Sequence, residues 1–183
     1  MPFAFGRHAE AAREGDASDL AFTAFSADCR ITGRIALRVD RLTDQVNGPD
    51  PLEIGRVVLE ALTDGRKLDV GELTVERDEL CAIAVEGPRG DPQRRLRTTT
   101  RKVDVRVGPY HVEASVHGTP ASDPLAKVGR GPAFVPLTDA IISYETRGEM
   151  VTEELPVVLI NRNLARTFRA IDDVRELVAR EIG

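Results

Sequence analysis

The 183-residue chain has no tryptophan and only six phenylalanines and two tyrosines. Flat stacking surfaces for bases or sugars are therefore scarce, and the core must come mainly from Val, Leu, Ile and Ala. Three histidines and two cysteines leave few general bases and thiol nucleophiles. No Gly-x-Ser-x-Gly elbow, no Cys-x-x-Cys pair and no Gly-x-x-x-x-Gly-Lys-Ser/Thr loop occurs. No stretch approaches the roughly 20 apolar residues of a membrane helix. The N-terminus turns charged at Arg7-His8, too early for the apolar core of a secretory signal. These absences point to a cytoplasmic, non-catalytic protein that uses no cofactor and no metal. In that compartment Cys29 and Cys81 read as free thiols rather than a disulfide.

What is present suits a soluble globular protein: 42% hydrophobic and 30% charged residues. The net charge of −5 hides an asymmetry. Between Pro88 and Lys102, six basic residues stand against one acid, a local +5 that leaves −10 for the rest.

The chain says nearly the same thing twice. Ala21–Ile35 reads against Lys102–Val116 without a gap, at an offset of 81 residues. Val58-Leu59, Gly65 and Leu68 lie over Ile141-Ile142, Gly148 and Val151 at an offset of 83. Turn residues fall on turn residues, and apolar positions keep their parity. Such a period means two copies of one small unit. Units of this size have only marginal cores, so the copies are expected to pack on each other.

Apolar alternation and turn signals predict strands over 20–26, 30–39, 56–62, 67–75 and 80–85, with a short helix near 41–47. Asp64-Gly65 is a strong hairpin signal. The second copy is expected to repeat this order: strands over 100–107 and 111–117, a helix over 123–128, then strands over 138–144, 149–155, 157–160 and 164–171. Val174, Leu177, Val178 and Ile182 fall at helical spacing, so 172–183 is expected to close the chain as a helix. The predicted fold is mainly β. It is a tandem repeat of two small curved β-sheets or partly open barrels, each with a short helix, plus the C-terminal helix. The expected divisions are a polar N-terminal segment (1–18), copy one (19–86), a basic Gly/Pro linker (87–99), copy two (100–171) and the final helix (172–183).

Two stretches carry family resemblances. Phe134-Val-Pro-Leu-Thr-Asp139 and Val157-Val-Leu-Ile-Asn-Arg162 resemble a small bacterial domain family of unknown function. That family has a hairpin of the Tyr110–Val116 type, a short helix, a Phe-x-Pro-Leu-Thr-Asp segment and a closing Val-Asn-Arg/Lys segment. The resemblance covers about residues 105–171 and implies a bacterial β-domain, with no catalytic residues. Copy one departs from it, with Glu53-Ile54-Gly55-Arg56 where Pro-Leu-Thr-Asp would stand. Separately, Arg97-Thr-Thr-Thr-Arg101 followed by Glu113-Ala-Ser-Val-His-Gly118 partly resembles PilZ domains, although Glu113 replaces the Asp or Asn of that family. This second resemblance implies binding of cyclic di-GMP or another anionic ligand through Arg97, Arg101, Ser115 and Gly118.

On a strand, His111, Glu113, Ser115 and His117 share one face. His111 and His117 would stand roughly 20 Å apart at about 3.3 Å per residue. One ion cannot bridge them, so they read as a solvated polar face. The basic segment can neutralise phosphates, but an acidic chain without interleaved aromatics argues against nucleic acid. The favoured partner of Arg94, Arg95, Arg97, Arg101 and Lys102 is an acidic protein surface. It would lie within the chain, at Glu153-Glu154 or Asp172-Asp173, or on a second subunit of a homo-oligomer. The resulting expectation is a non-catalytic binding or assembly module acting through protein–protein contacts. A cyclic di-GMP sensor is the first alternative, and an enzyme with its site at the seam of the two copies is the second.

Overall fold

A computed structural model of the chain describes residues 19–85, 99–120 and 122–171. The N-terminal segment 1–18, nearly all of the linker, the expected helix over 172–183, and Arg94, Arg95 and Arg97 lie outside the described residues. Five strands come first: β1 (Asp19–Ser26), β2 (Cys29–Ala36), β3 (Leu52–Ala61), β4 (Lys67–Val75) and β5 (Leu80–Val85). Five follow: β6 (Thr99–Val107), β7 (Tyr110–Gly118), β8 (Phe134–Thr146), β9 (Glu149–Asn161) and β10 (Ala165–Ala170). Helix α1 (Leu42–Val46) joins β2 to β3, and α2 (Pro124–Val128) joins β7 to β8. No described helix is long and apolar enough to cross a membrane.

All ten strands belong to one antiparallel sheet, in the order β10-β6-β7-β8-β9-β5-β1-β2-β3-β4. This corrects the expectation of two sheets or partly open barrels. The sheet does not close, and β4 and β10 are its edges. It is continuous because β9 lies beside β5, with Ala82 opposite Ile160, Ile83 opposite Leu159 and Ala84 opposite Val158. The first five strands stand in the order β5-β1-β2-β3-β4 and the second five in the order β10-β6-β7-β8-β9.

Neighbouring residues of a strand point to opposite faces, and both faces are buried at this junction. Ala82, Ala84, Val158 and Ile160 enter one hydrophobic cluster with Val103, Val105 and Val112. Ile83 and Leu159 enter another with Phe22, Ile31, Ile35 and Val57. The sheet thus carries one core on each face, each mainly beneath its own five strands. Leu80–Ala84 reads as an unbroken apolar run because every residue in it is buried. Full burial of a Val, Leu or Ile side chain contributes roughly 1.5–3 kcal/mol, so the junction is strongly held. Two asparagines add polar clamps. Asn47, after α1, donates to Phe134 O (3.1 Å) and accepts from Phe134 N–H (2.9 Å). The buried Asn161 donates to Leu80 O at 3.0 Å and Arg77 O at 3.2 Å.

Three strands are longer than the alternation implied. β3 begins at Leu52 rather than at 56, and β8 at Phe134 rather than at 138. Both continue through a register slip, beside Gly55 and at Thr138 respectively. The segments expected over 149–155 and 157–160 are one strand, β9, running through Pro156. Thr138 pairs with Val157 and Ala140 with Leu155, while Asp139 and Pro156 form no pair between them. The missing proline N–H therefore falls at a gap in the ladder.

Candidate functional site

The chain places its richest side-chain chemistry where the two sets of five strands meet. At the β1–β2 turn, Ser26 Oγ accepts the N–H groups of Asp28 (3.3 Å) and Cys29 (3.1 Å) and lies 3.2 Å from Cys29 Sγ. Such a hydroxyl cap fixes a tight turn without glycine. Tyr110, at the start of β7, crosses the seam and donates its hydroxyl to Ser26 O at 2.7 Å. Its ring stands edge-on to Phe25 (5.3 Å, 71°) and Tyr144 (5.4 Å, 65°), an arrangement that aromatic quadrupoles favour. Burial raises the Tyr110 phenol above its ordinary value, and the nearby thiols add to the shift. The Tyr144 hydroxyl donates to Glu153 Oε1 at 2.5 Å, and Arg30 reaches Glu153 Oε2 at 3.2 Å. Burial and then the Glu153 hydrogen bond raise the Tyr144 phenol.

The hairpin tips also meet. Arg147 N–H donates to Leu62 O at 3.1 Å, its guanidinium to Gly65 O at 3.2 Å, and Glu60 lies 3.6 Å away. A Cβ on Gly65 would sit 1.8 Å from Arg147 Nε, so the glycine makes room for the arginine as well as allowing its positive φ of 67°.

A cavity of about 590 Å³ opens at the seam. Ile31, Leu59, Leu73 and Leu80 form its apolar side, and Cys29 and Cys81 line it, with Gly108 and Leu164 coming from the second set of strands. Asp28, Asp78, Glu79 and Arg166 are charged residues of its wall. Cys81 is buried and free, and burial, followed by the Asp28 charge, pushes its thiol up to about 11. It is a poor nucleophile at neutral pH. A second cavity, about 510 Å³, lies by Arg34, Arg38 and Arg56. There Asp19 holds Arg34 at 2.6 Å and Glu53 binds Arg38.

The residues singled out for ligand binding are dispersed. Arg101 lies in β6 opposite Val116, while Ser115 lies in β7 opposite Lys102. Arg101 and Ser115 therefore project to opposite faces of the sheet. Arg101 is bound to Asp123 at 3.3 Å. Ser115 is buried. Gly118 serves packing: a Cβ there would meet Pro124 Cγ at 3.0 Å, so it admits α2. Lys102 is exposed on β6. Glu153, expected to face the basic segment, is instead held by Tyr144 and Arg30.

The expected histidine face is present, with a different partner for each end. His117 Nε2 bonds Thr138 Oγ1 at 2.7 Å, and its Nδ1 bonds Thr100 Oγ1 at 3.1 Å. His111 pairs with Asp104, and the ligand atoms of Asp104, His111 and Glu113 lie within 4.8 Å of one another. Arg169 is the register partner of Asp104 on β10, which balances this surface cluster.

Sequence reasoning missed the cavity, although the internal match carried its signal. Cys29 stands where the second copy has Tyr110, and Ala61 where it has Tyr144. Comparison with family models, curated proteins and solved structures finds no match to this chain.

Proposed function

We propose that this chain is a non-catalytic binding and assembly module, made of two copies of one five-stranded unit and acting through protein–protein contacts. The observation that carries the reading is the junction between β9 and β5. Each set of five strands has the same internal order, and the fourth strand of the second set lies on the fifth strand of the first. On this reading the molecule already contains one unit-to-unit assembly step, made edge to edge. The remaining edges, β4 and β10, are of the same two kinds. A sheet edge is a template for further pairing unless it is blunted. Lys67, Asp69 and Glu72 place charges along β4, so its partner must be selective.

The basic segment adds electrostatic selection. Arg94, Arg95, Arg97, Arg101 and Lys102 would meet an acidic protein surface, within a cytoplasmic homo-oligomer or on another protein, and would speed encounter in a salt-dependent way. Size-exclusion chromatography with light scattering tests this reading. Replacing the five with Gln should weaken association or docking and leave each unit folded by circular dichroism. Unchanged oligomeric state and thermal stability, together with salt-sensitive RNA or DNA binding by the wild type, would reverse the assignment.

A second reading, a small-molecule site at the seam, is favoured by the cavity that residues of both sets of strands line.

A further inference from the structure

The two cores end differently. Beneath the second set of strands, Tyr110 and Tyr144 fill the end of the core and are 1% and 5% exposed. At the matching sequence positions of the first set stand Cys29 and Ala61, which are register partners across β2 and β3. Two phenol rings are thereby missing. Ile31 and Leu80 are still covered, but Leu59, Leu73 and Cys29 are only partly buried, and all five border the open seam cavity. The space arises from small side chains at the end of a core, next to apolar surface. Its volume, about 590 Å³, falls within the roughly 300–1,000 Å³ typical of small-molecule sites.

Charge specifies the occupant further. Three carboxylates, Asp28, Asp78 and Glu79, and one guanidinium, Arg166, belong to the wall, a local balance of −2. None of the three carboxylates is ion-paired among the described residues. They lie beside a surface of low polarity, where a charge interaction is stronger than in open water.

We infer that the seam cavity binds a small organic cation with a flat apolar body. The ring system would take the space left by Cys29 and Ala61, and its ammonium or amidinium group would sit among Asp28, Asp78 and Glu79. The comparison of core ends rests on the two-copy reading, whereas the cavity and its charge do not.

Calorimetry with two probes of the same shape tests this. Naphthylmethylamine is expected to bind the full-length protein at least about tenfold more tightly than naphthylacetate, about 1.4 kcal/mol of discrimination. Cys29→Tyr, which restores the ring found in the second set of strands, should abolish amine binding. The Asp28→Asn/Asp78→Asn/Glu79→Gln variant alters only exposed groups. It should weaken amine binding about tenfold and keep the wild-type melting temperature. If Cys29→Tyr fails to fold, this charge variant decides. Equal affinity for the two probes, no heat with the amine, or undiminished amine binding in either folded variant would overturn the inference. Light scattering with and without the amine separates the two proposals, because loss of amine binding leaves the assembly reading untouched.

Discussion

Arg56 and Asp139, 83 residues apart in sequence, hold the same left-handed backbone conformation, with φ of 53° and 49°. Each sits beside a register slip, Arg56 in β3 and Asp139 in β8. Aspartate visits this region more readily than most residues, and arginine has no such advantage. The Pro-Leu-Thr-Asp segment of β8 thus serves the geometry of the strand. Arg56 marks the same turn of the backbone where that motif is lost.

Arg56→Val is therefore expected to cost about 1–2 kcal/mol more than Arg56→Gly, because glycine adopts positive φ freely and a β-branched residue does not. Asp139→Val should cost a similar amount. Chemical denaturation of the three variants provides the comparison, and equal midpoints for Val and Gly at position 56 would show that the bulge relaxes.

Tyr110→Phe removes the 2.7 Å hydrogen bond to Ser26 O and keeps the ring. The expected loss is about 1 kcal/mol, the ordinary net worth of such a bond. Tyr110→Ala also removes a ring that packs on Phe25 and Tyr144 and should cost about 3–5 kcal/mol. Thermal unfolding reads both. A Phe variant as unstable as the Ala variant would mean that the hydroxyl, rather than the ring, holds the seam.

Stability should fall in alkali. The Cys81 thiol goes from an ordinary 9.0 to about 11 in the folded chain, so its contribution is complete below pH 9.0 and is lost as pH rises through about 11. Tyr110 and Tyr144 shift upward from 10.0 and act in the same direction. The unfolded chain then releases protons that the folded chain retains, which favours unfolding. Melting temperature should decline from about pH 9 upward, and Cys81→Ala should decline less steeply. Parallel slopes for the two proteins would remove the thiol from this account.

Cyclic di-GMP is expected to give no heat with this protein, since Arg101 and Ser115 face opposite sides of the sheet. Arg101→Ala breaks a partly exposed pair with Asp123 and should change stability by less than about 1 kcal/mol. Calorimetry and a melting curve check both, and binding that disappears in Arg101→Ala would restore the dinucleotide reading.

Local physics wrote the strands and tips into the sequence. Period-two alternation marks β1, β2, β6 and β7, and Arg147-Gly148 forms the expected turn, with φ of 56° and 76°. Alternation could not show that β5 and β9 bury both faces, because a continuous apolar run has no period to read. It also stopped short at Arg56 and Asp139, where a left-handed residue lets the strand resume after a slip. The single sheet depends on pairing β5 with β9, and no local pattern encodes a contact between Ile83 and Leu159, 76 residues apart. The seam cavity was likewise decided in three dimensions. Cys29 becomes a gap only because Tyr110, at the matching position of the second copy, fills the corresponding end of the other core.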